Sequence, residues 1–191
     1  MLSKSFQPEY KGFYVDVGAN DPRRLNNTYY FYKRGWRGIN IEPDPVCYRK
    51  ILKYRPGDIN LNIGISDTAG NINFHFFFPS LLNTFSKDEA DRYVSQGYQL
   101  NKISSVEVKK LDDVLEKYLP SNTPIDILCI DTEGYDYNVL KSIDLKRYKP
   151  RLICVECSKD NISDKIEEVL NRNNYSLLYS NGSNSIYRLS L

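Results

Sequence analysis

The chain has 191 residues, and 26 Lys plus Arg against 24 Asp plus Glu leave a formal net charge of +2. That length suits one domain over residues 1–191, with a core large enough to stand alone. Charges of both signs are interspersed, which speaks against a nucleic-acid or membrane-surface binder, and the lack of a membrane-length apolar run or an apolar signal region makes the cytoplasm the expected location.

Strand and helix signals alternate along the chain. Residues 12–17 read as a first strand that runs into the turn Gly18-Ala19-Asn20. Residues 27–35 read as a helix and residues 38–42 as a second strand. Residues 45–54 are expected to be helical, with Pro45 near the start, where its missing N–H costs nothing. A third strand is expected over 59–65, then a turn cluster over 66–70 and an extended aromatic run over 72–78. Residues 80–104 are polar with no clear period. Loops of that length in compact domains are usually functional or disordered, so this stretch is the candidate lid or acceptor-binding loop. Residues 105–108 are expected to be extended and 111–118 helical. A fourth strand follows over 125–130, a helix over 135–143, a fifth strand over 152–156 and a helix over 164–173. The chain ends in a hairpin, 175–179 and 185–189, around Asn181-Gly182.

Strands alternating with helices imply an α/β fold: a mostly parallel sheet with helices on both faces. The terminal hairpin adds an antiparallel pair. Seven strands with that ending match the Rossmann-like sheet of class I methyltransferases better than a dinucleotide-dehydrogenase sheet.

In such sheets ligands bind beyond the carboxyl ends of the strands, so the residues closing each strand matter most. Here they are Asp16, Gly18 and Asn20; Glu42; Ser66 and Asp67; Asp131 and Glu133; and Glu156 and Ser158. A carboxylate closing the second strand is placed to accept hydrogen bonds from a ribose. The chain lacks Gly-x-Gly-x-x-Gly, the turn that presents a helix N-terminus to a pyrophosphate. An acid-lined crevice suits a cationic cofactor without phosphate, and S-adenosylmethionine is one. Asp16, Gly18, Asn20 and Glu42 are the expected cofactor residues, with Ser66 or Asp67 near the adenine.

Several segments are together similar to the FkbM-type methyltransferases. They are Val15-Asp16-Val17-Gly18-Ala19-Asn20-Asp21-Pro22, Asn27-Thr28-Tyr29-Tyr30-Phe31, Gly35-Trp36-Arg37-Gly38, Ile41-Glu42-Pro43 and Ile130-Asp131-Thr132-Glu133-Gly134-Tyr135-Asp136. The similarity runs from about Gly12 to Glu156, and Asp-x-Glu-Gly-Tyr is its most specific element. The resemblance implies a class I fold, S-adenosylmethionine, and methyl transfer to a hydroxyl, often on a sugar or polyketide.

The chemistry is expected at Asp131 and Glu133, after the fourth strand, the point that faces the methyl group in this fold. An alcohol has a very high pKa, so its methylation needs a general base or a metal. Asp131 is the candidate base with Glu133 beside it, and Asp131, Glu133 and Glu156 could instead hold one Mg²⁺ or Mn²⁺ through oxygen. The lone histidine, His75, sits among aromatics and reads as packing, as does Trp36. Arg23 or Arg24 could meet the cofactor carboxylate, and Tyr93, Tyr98 and Tyr135 could stack on a sugar face. Cys129 and Cys154 lie in apolar runs and read as small hydrophobes, and the Cys154–Cys157 spacing reads as structural rather than metal-binding. The expected activity is O-methylation of a sugar hydroxyl on a glycan or glycoconjugate. The alternatives are a lipid, polyketide or other small acceptor, or a non-catalytic glycan-binding module that keeps the fold.

Overall fold

The computed structural model describes residue 2, residues 5–156 and residues 161–190. Its first half runs β1 (Phe13–Val17), α1 (Tyr29–Lys33), β2 (Arg37–Ile41), α2 (Pro45–Tyr54), β3 (Ile59–Leu61), β4 (Gly64–Ile65) and β5 (Gly70–Phe78). A 3-10 turn at Ser80–Leu82, α3 (Lys87–Ser95), β6 (Gln99–Lys109) and α4 (Leu111–Tyr118) come next. The second half is β7 (Ile127–Ile130), α5 (Asp136–Lys141), α6 (Leu145–Tyr148), β8 (Leu152–Glu156), α7 (Asn161–Arg172), β9 (Tyr175–Ser180) and β10 (Asn184–Leu189).

Seven strands form one sheet in the order β3-β2-β1-β7-β8-β10-β9. Pairing is parallel except for β10, which is antiparallel to both β8 and β9. The central strands are apolar because both of their faces are covered. Side chains alternate between faces along a strand. Phe13, Val15 and Val17 accordingly enter one core with Leu111, Leu115, Val139 and Leu170 of the helices. Tyr14 enters the other with Phe31, Trp36 and Cys129. Trp36 is buried there, its indole N–H donating to Tyr10 O at 2.8 Å, and it serves packing.

The chain builds outward from β1 to β3 and then returns to the far side of β1 with β7. That reversal is the switch point. Register aligns the strand ends around it. Val17 pairs with both Ile41 and Ile130, and Ile130 pairs with Val155. One residue further along these strands come Gly18, Glu42, Asp131 and Glu156, side by side at the carboxyl edge.

The strand expected over 59–65 is broken in two. Only Ile59–Leu61 joins the main sheet, while Gly64–Ile65 joins a separate three-stranded sheet, β4-β6-β5. Asn62 marks the break: its amide donates to Glu42 O at 2.8 Å and Pro43 O at 3.0 Å, holding the chain as it leaves the ladder. Gly64 then packs under Phe85, where a Cβ would fall 2.4 Å from the ring.

Residues 80–104, expected to be a loop, hold the 3-10 turn, α3 and the first half of β6. They bury too few side chains to show a period: β6 has no buried residue over 99–104. Helix α3 buries only Ala90 and Tyr93, and Ser86 caps it by accepting from Glu89 N at 3.2 Å. Helix α6 also differs from the sequence expectation. It is one turn long, too short for a periodic signal, and is capped by Asp144.

Among the described residues, no helix is long and apolar enough to cross a membrane. Cys129 and Cys154 are register partners on β7 and β8, buried and free, whereas Cys157 and Ser158 lie outside the described residues.

Candidate active site

A cavity of about 410 Å³ opens beyond the carboxyl edge, a size suited to a nucleoside-sized ligand. Asp16, Gly18, Asn20, Glu42, Asp131 and Glu133 all line it. Its far wall comes from the small sheet and the 3-10 turn, with Phe74, Ser80, Leu81 and Phe85.

Glu42 is buried at the end of β2. Its Oε2 accepts from Asn20 N and its Oε1 from Asp44 N, each at 2.7 Å. Asn20 can offer its N–H this way because its backbone is left-handed, with φ of +42°. Its side-chain amide donates to Ser80 O at 3.0 Å. Gly18 has φ of +81°, and a Cβ there would lie 1.9 Å from Asp131 O. This glycine is required so that the turns after β1 and β7 can touch.

Asp16 is buried on the second face of β1. Its Oδ2 accepts from Thr28 Oγ1 at 2.6 Å and Asn26 Nδ2 at 3.1 Å. Behind them lies Arg55, fully buried at the end of α2. Its guanidinium donates to Asp58 Oδ2 at 2.9 Å, Tyr14 Oη at 2.6 Å, Thr28 Oγ1 at 2.9 Å and Asn26 Oδ1 at 3.1 Å. One cation therefore orients the two residues that hold Asp16.

At the other end, Asp131 leaves β7 beside Glu133 on the turn before α5. Carboxylate oxygens of Asp131, Glu133 and Glu156 all lie within 4.8 Å of one another. Glu156 stands beside the cavity lining. Glu133 has a left-handed backbone, φ of +51°, and accepts a hydrogen bond from the Tyr93 hydroxyl. Thr84 Oγ1 donates to Glu133 O at 2.7 Å.

A model of the FkbM methyltransferase domain matches residues 16–177, most of the chain. The chain belongs to the FkbM methyltransferase family. Methyltransferase sdnD of Sordaria araneosa is 27% identical over 169 residues, an alignment covering 72% of this chain. The FkbM methyltransferase structure from Methylobacillus flagellatus KT superposes with a TM-score of 0.58 at 13% identity, over 94% of this chain, and shares its fold. The chain spans 62% of the length of sdnD and 44% of that solved structure.

The site of this FkbM-family chain crowds acids together. Burial pushes Glu42 and Asp131 each up to about 7, and Asp136, whose Oδ1 accepts from Thr132 N, up to about 6. Glu156 goes furthest, to about 9, through burial and then the charges of Glu133 and Asp131. These groups bind protons more tightly folded than unfolded. Their stabilising effect is complete below the ordinary carboxylate range and is lost as pH rises through the raised values. The thermal midpoint of the ligand-free protein should therefore fall between about pH 5 and about pH 9. Scanning calorimetry across that window tests this. A flat or rising midpoint would mean that the acids ionise as they do in water.

The structure brings some of the other expected positions to the cavity and places the rest away from it. Ser66 and Asp67 do not line the cavity. Ser66 is buried, its hydroxyl 3.1 Å from Tyr135 Oη, and Asp67 pairs with Lys141. Ile63, Gly64 and Ile65 line it instead, because the chain has already turned toward the small sheet. Tyr93 offers no open face to a sugar, since it is buried and packs edge-on against Phe77 at 5.6 Å. Tyr135 packs on Phe85, also at 5.6 Å, and Tyr98 is the exposed ring of the three. His75 is buried, with Nδ1 3.3 Å from Thr84 O, and acts as a bridge between strand and turn. Arg24 lines the cavity, while Arg23 lies 4.0 Å over the Tyr54 ring.

Sequence reasoning missed Arg55, Thr28 and Asn26. Thr28 lies in one of the family segments and at the start of the expected helix, whereas no local pattern marks Asn26 or Arg55 for a site. It also missed Phe74 and Phe85, although the aromatic run over 72–78 marked one of them.

Proposed function

We propose that this chain transfers a methyl group from S-adenosylmethionine to a sugar hydroxyl on a glycan or glycoconjugate. The row of carboxylates along one cavity, Glu42 at one end and Asp131 with Glu133 at the other, carries this reading. When bound, the cofactor supplies an electrophilic methyl group on a sulfonium. The residues present fit it. Each Glu42 oxygen accepts one backbone N–H, and a carboxylate has about four acceptor positions, so both ribose hydroxyls can be accepted too. Ile41, Ile63, Ile65 and Phe74 offer an apolar wall for a flat adenine. Asp16 supplies negative charge where the cofactor is cationic. Gly18 and Asn20 hold the turn that closes the cofactor pocket.

Asp131 takes the proton from the acceptor hydroxyl during transfer, and Glu133 orients that hydroxyl. A base whose pKa stands near 7 is well matched to this task at neutral pH. The three clustered carboxylates also fit one Mg²⁺ or Mn²⁺ through their oxygens, which would lower the pKa of the acceptor hydroxyl. Chelation separates the two. Activity lost in EDTA and restored by Mg²⁺ or Mn²⁺ assigns a cation to Asp131, Glu133 and Glu156. Activity unchanged by EDTA leaves Asp131 as the base alone.

Mass spectrometry of candidate glycans incubated with protein and cofactor tests the activity, through a methyl-sized mass gain. Calorimetry tests the cofactor: S-adenosylmethionine should bind and NAD should not, and a preference for NAD would sink the reading. Glu42→Gln replaces one ribose-accepting oxygen with a donor. Cofactor binding should weaken by about 1–3 kcal/mol, the range for a hydrogen bond to a charged group. An unchanged dissociation constant would show that Glu42 does not touch the cofactor.

A further inference from the structure

We propose that Tyr93 is a positioning residue for the reaction: its hydroxyl, carried in by α3, holds the Glu133 carboxylate toward the cavity. This role rests on the one proposed for Glu133 in orienting the acceptor hydroxyl.

Glu133 occupies a costly place. Its φ is +51° and that of Gly134 is +84°, so two successive residues are left-handed. A glutamate adopts that conformation only where its surroundings over-determine it. Acids crowd around it, Asp136, Glu89 and Asp131, against the opposing charge of Arg92. Left to itself, such a carboxylate would swing toward water.

The segment 84–93 supplies the restraint. Thr84 Oγ1 donates to the Glu133 carbonyl at 2.7 Å, fixing the backbone. The side chain of Glu89 lies over Gly134, where a Cβ would come within 2.4 Å of Glu89 Cγ. Tyr93 then donates its hydroxyl to Glu133 Oε2, fixing the side chain. The phenol is itself aimed by edge-on contacts with Phe77 at 5.6 Å and Tyr98 at 6.0 Å. The same stretch of chain reaches the cofactor end, where Asn83 Nδ2 donates to Asp44 Oδ2 at 3.0 Å. Residues expected to form a loose lid thus bolt the catalytic turn to the cofactor turn.

Tyr93→Phe keeps the ring and both aromatic contacts and removes only the hydroxyl. The expected result is a fall in kcat of about 10- to 100-fold, the scale of a misplaced catalytic group. The KM for cofactor should stay within about twofold, since the Glu42 end is untouched. In a Glu133→Gln background, Tyr93→Phe should cost nothing further, because its effect runs through that side chain. Near-normal kcat in Tyr93→Phe, with Glu133→Gln inactive, overturns the proposal and leaves the proposed reaction standing. Fully additive losses overturn it as well, and so does a Tyr93→Phe protein that no longer folds, which assigns the hydroxyl to the fold. Normal turnover in Glu133→Gln removes the assignment of Glu133, and the proposal falls with it.

Discussion

Asp131→Asn should lower kcat by about 100- to 10,000-fold, the usual cost of a lost general base, and at the same time raise the thermal midpoint. The side chains have the same shape, so packing at the end of β7 survives. The base is gone, and with it most of any affinity for a cation. The stability gain comes from the site's electrostatics. Burial first, and then the charges of Asp136, Glu133 and Asp16, push Asp131 up to about 7. Above that pH the folded protein carries a buried charge that the unfolded chain carries in water, and asparagine removes the penalty. At about pH 8 the midpoint should therefore exceed that of the unsubstituted protein. Cofactor affinity should be nearly unchanged, because Glu42 lies at the other end of the cavity. A methyl-transfer assay and a melt on the same preparation test both halves. Near-normal turnover would move the base elsewhere, with Glu156 next to examine. Lost turnover with a lowered midpoint would make Asp131 a structural acid.

Arg55→Met should cost about 3–5 kcal/mol, the usual result of breaking a buried ion pair from one side. Arg55 and Asp58 have no exposed side-chain surface and are 2.9 Å apart. Removing the cation leaves Asp58 charged and buried, although Gly38 N, Asn40 Nδ2 and Tyr14 Oη still donate to it. For a chain of this length the loss should appear as a fall of about 6–20 °C in thermal midpoint. Asp16 loses its main attractive charge as well, since Arg55 is the largest influence opposing its burial. Cofactor binding should weaken along with stability. The double variant Arg55→Met, Asp58→Leu should recover part of the stability, because Asp58 is no longer left charged without its partner, while Asp16 still lacks the Arg55 charge. A single variant as stable as the parent would mean that the Gly38, Asn40 and Tyr14 donors are enough to hold Asp58.

Features set by residues near one another in sequence were legible. The helix at Pro45–Tyr54, the helix at Leu111–Tyr118 and the strand at Leu152–Glu156 have the bounds that proline placement and apolar runs imply. The carboxylates closing the strands were legible for the same reason: a strand's last residue is a local feature, and a parallel sheet sends all such ends to one edge. The row of Glu42, Asp131 and Glu156 arises from that rule together with the register. The stretch 80–104 was not legible, because its helix buries only two residues and local polarity outweighed them.

The sequence by itself determined the order of elements, the doubly covered sheet with its antiparallel end, the family, and the acids at the strand ends, since each rests on local periodicity or on short motifs. Only the tertiary structure decided how those acids are used. The break after Leu61, set by the Asn62 amide and the Gly64–Phe85 contact, took Ser66 and Asp67 out of the cavity. Long-range packing buried Arg55 behind Asp16. It also joined Asn83 to Asp44, 39 residues apart along the chain, and Tyr93 to Glu133, 40 residues apart. Such pairings depend on three-dimensional closure that no local pattern encodes. The raised pKa values belong to the same class, because desolvation is a property of the assembled core and not of any one residue.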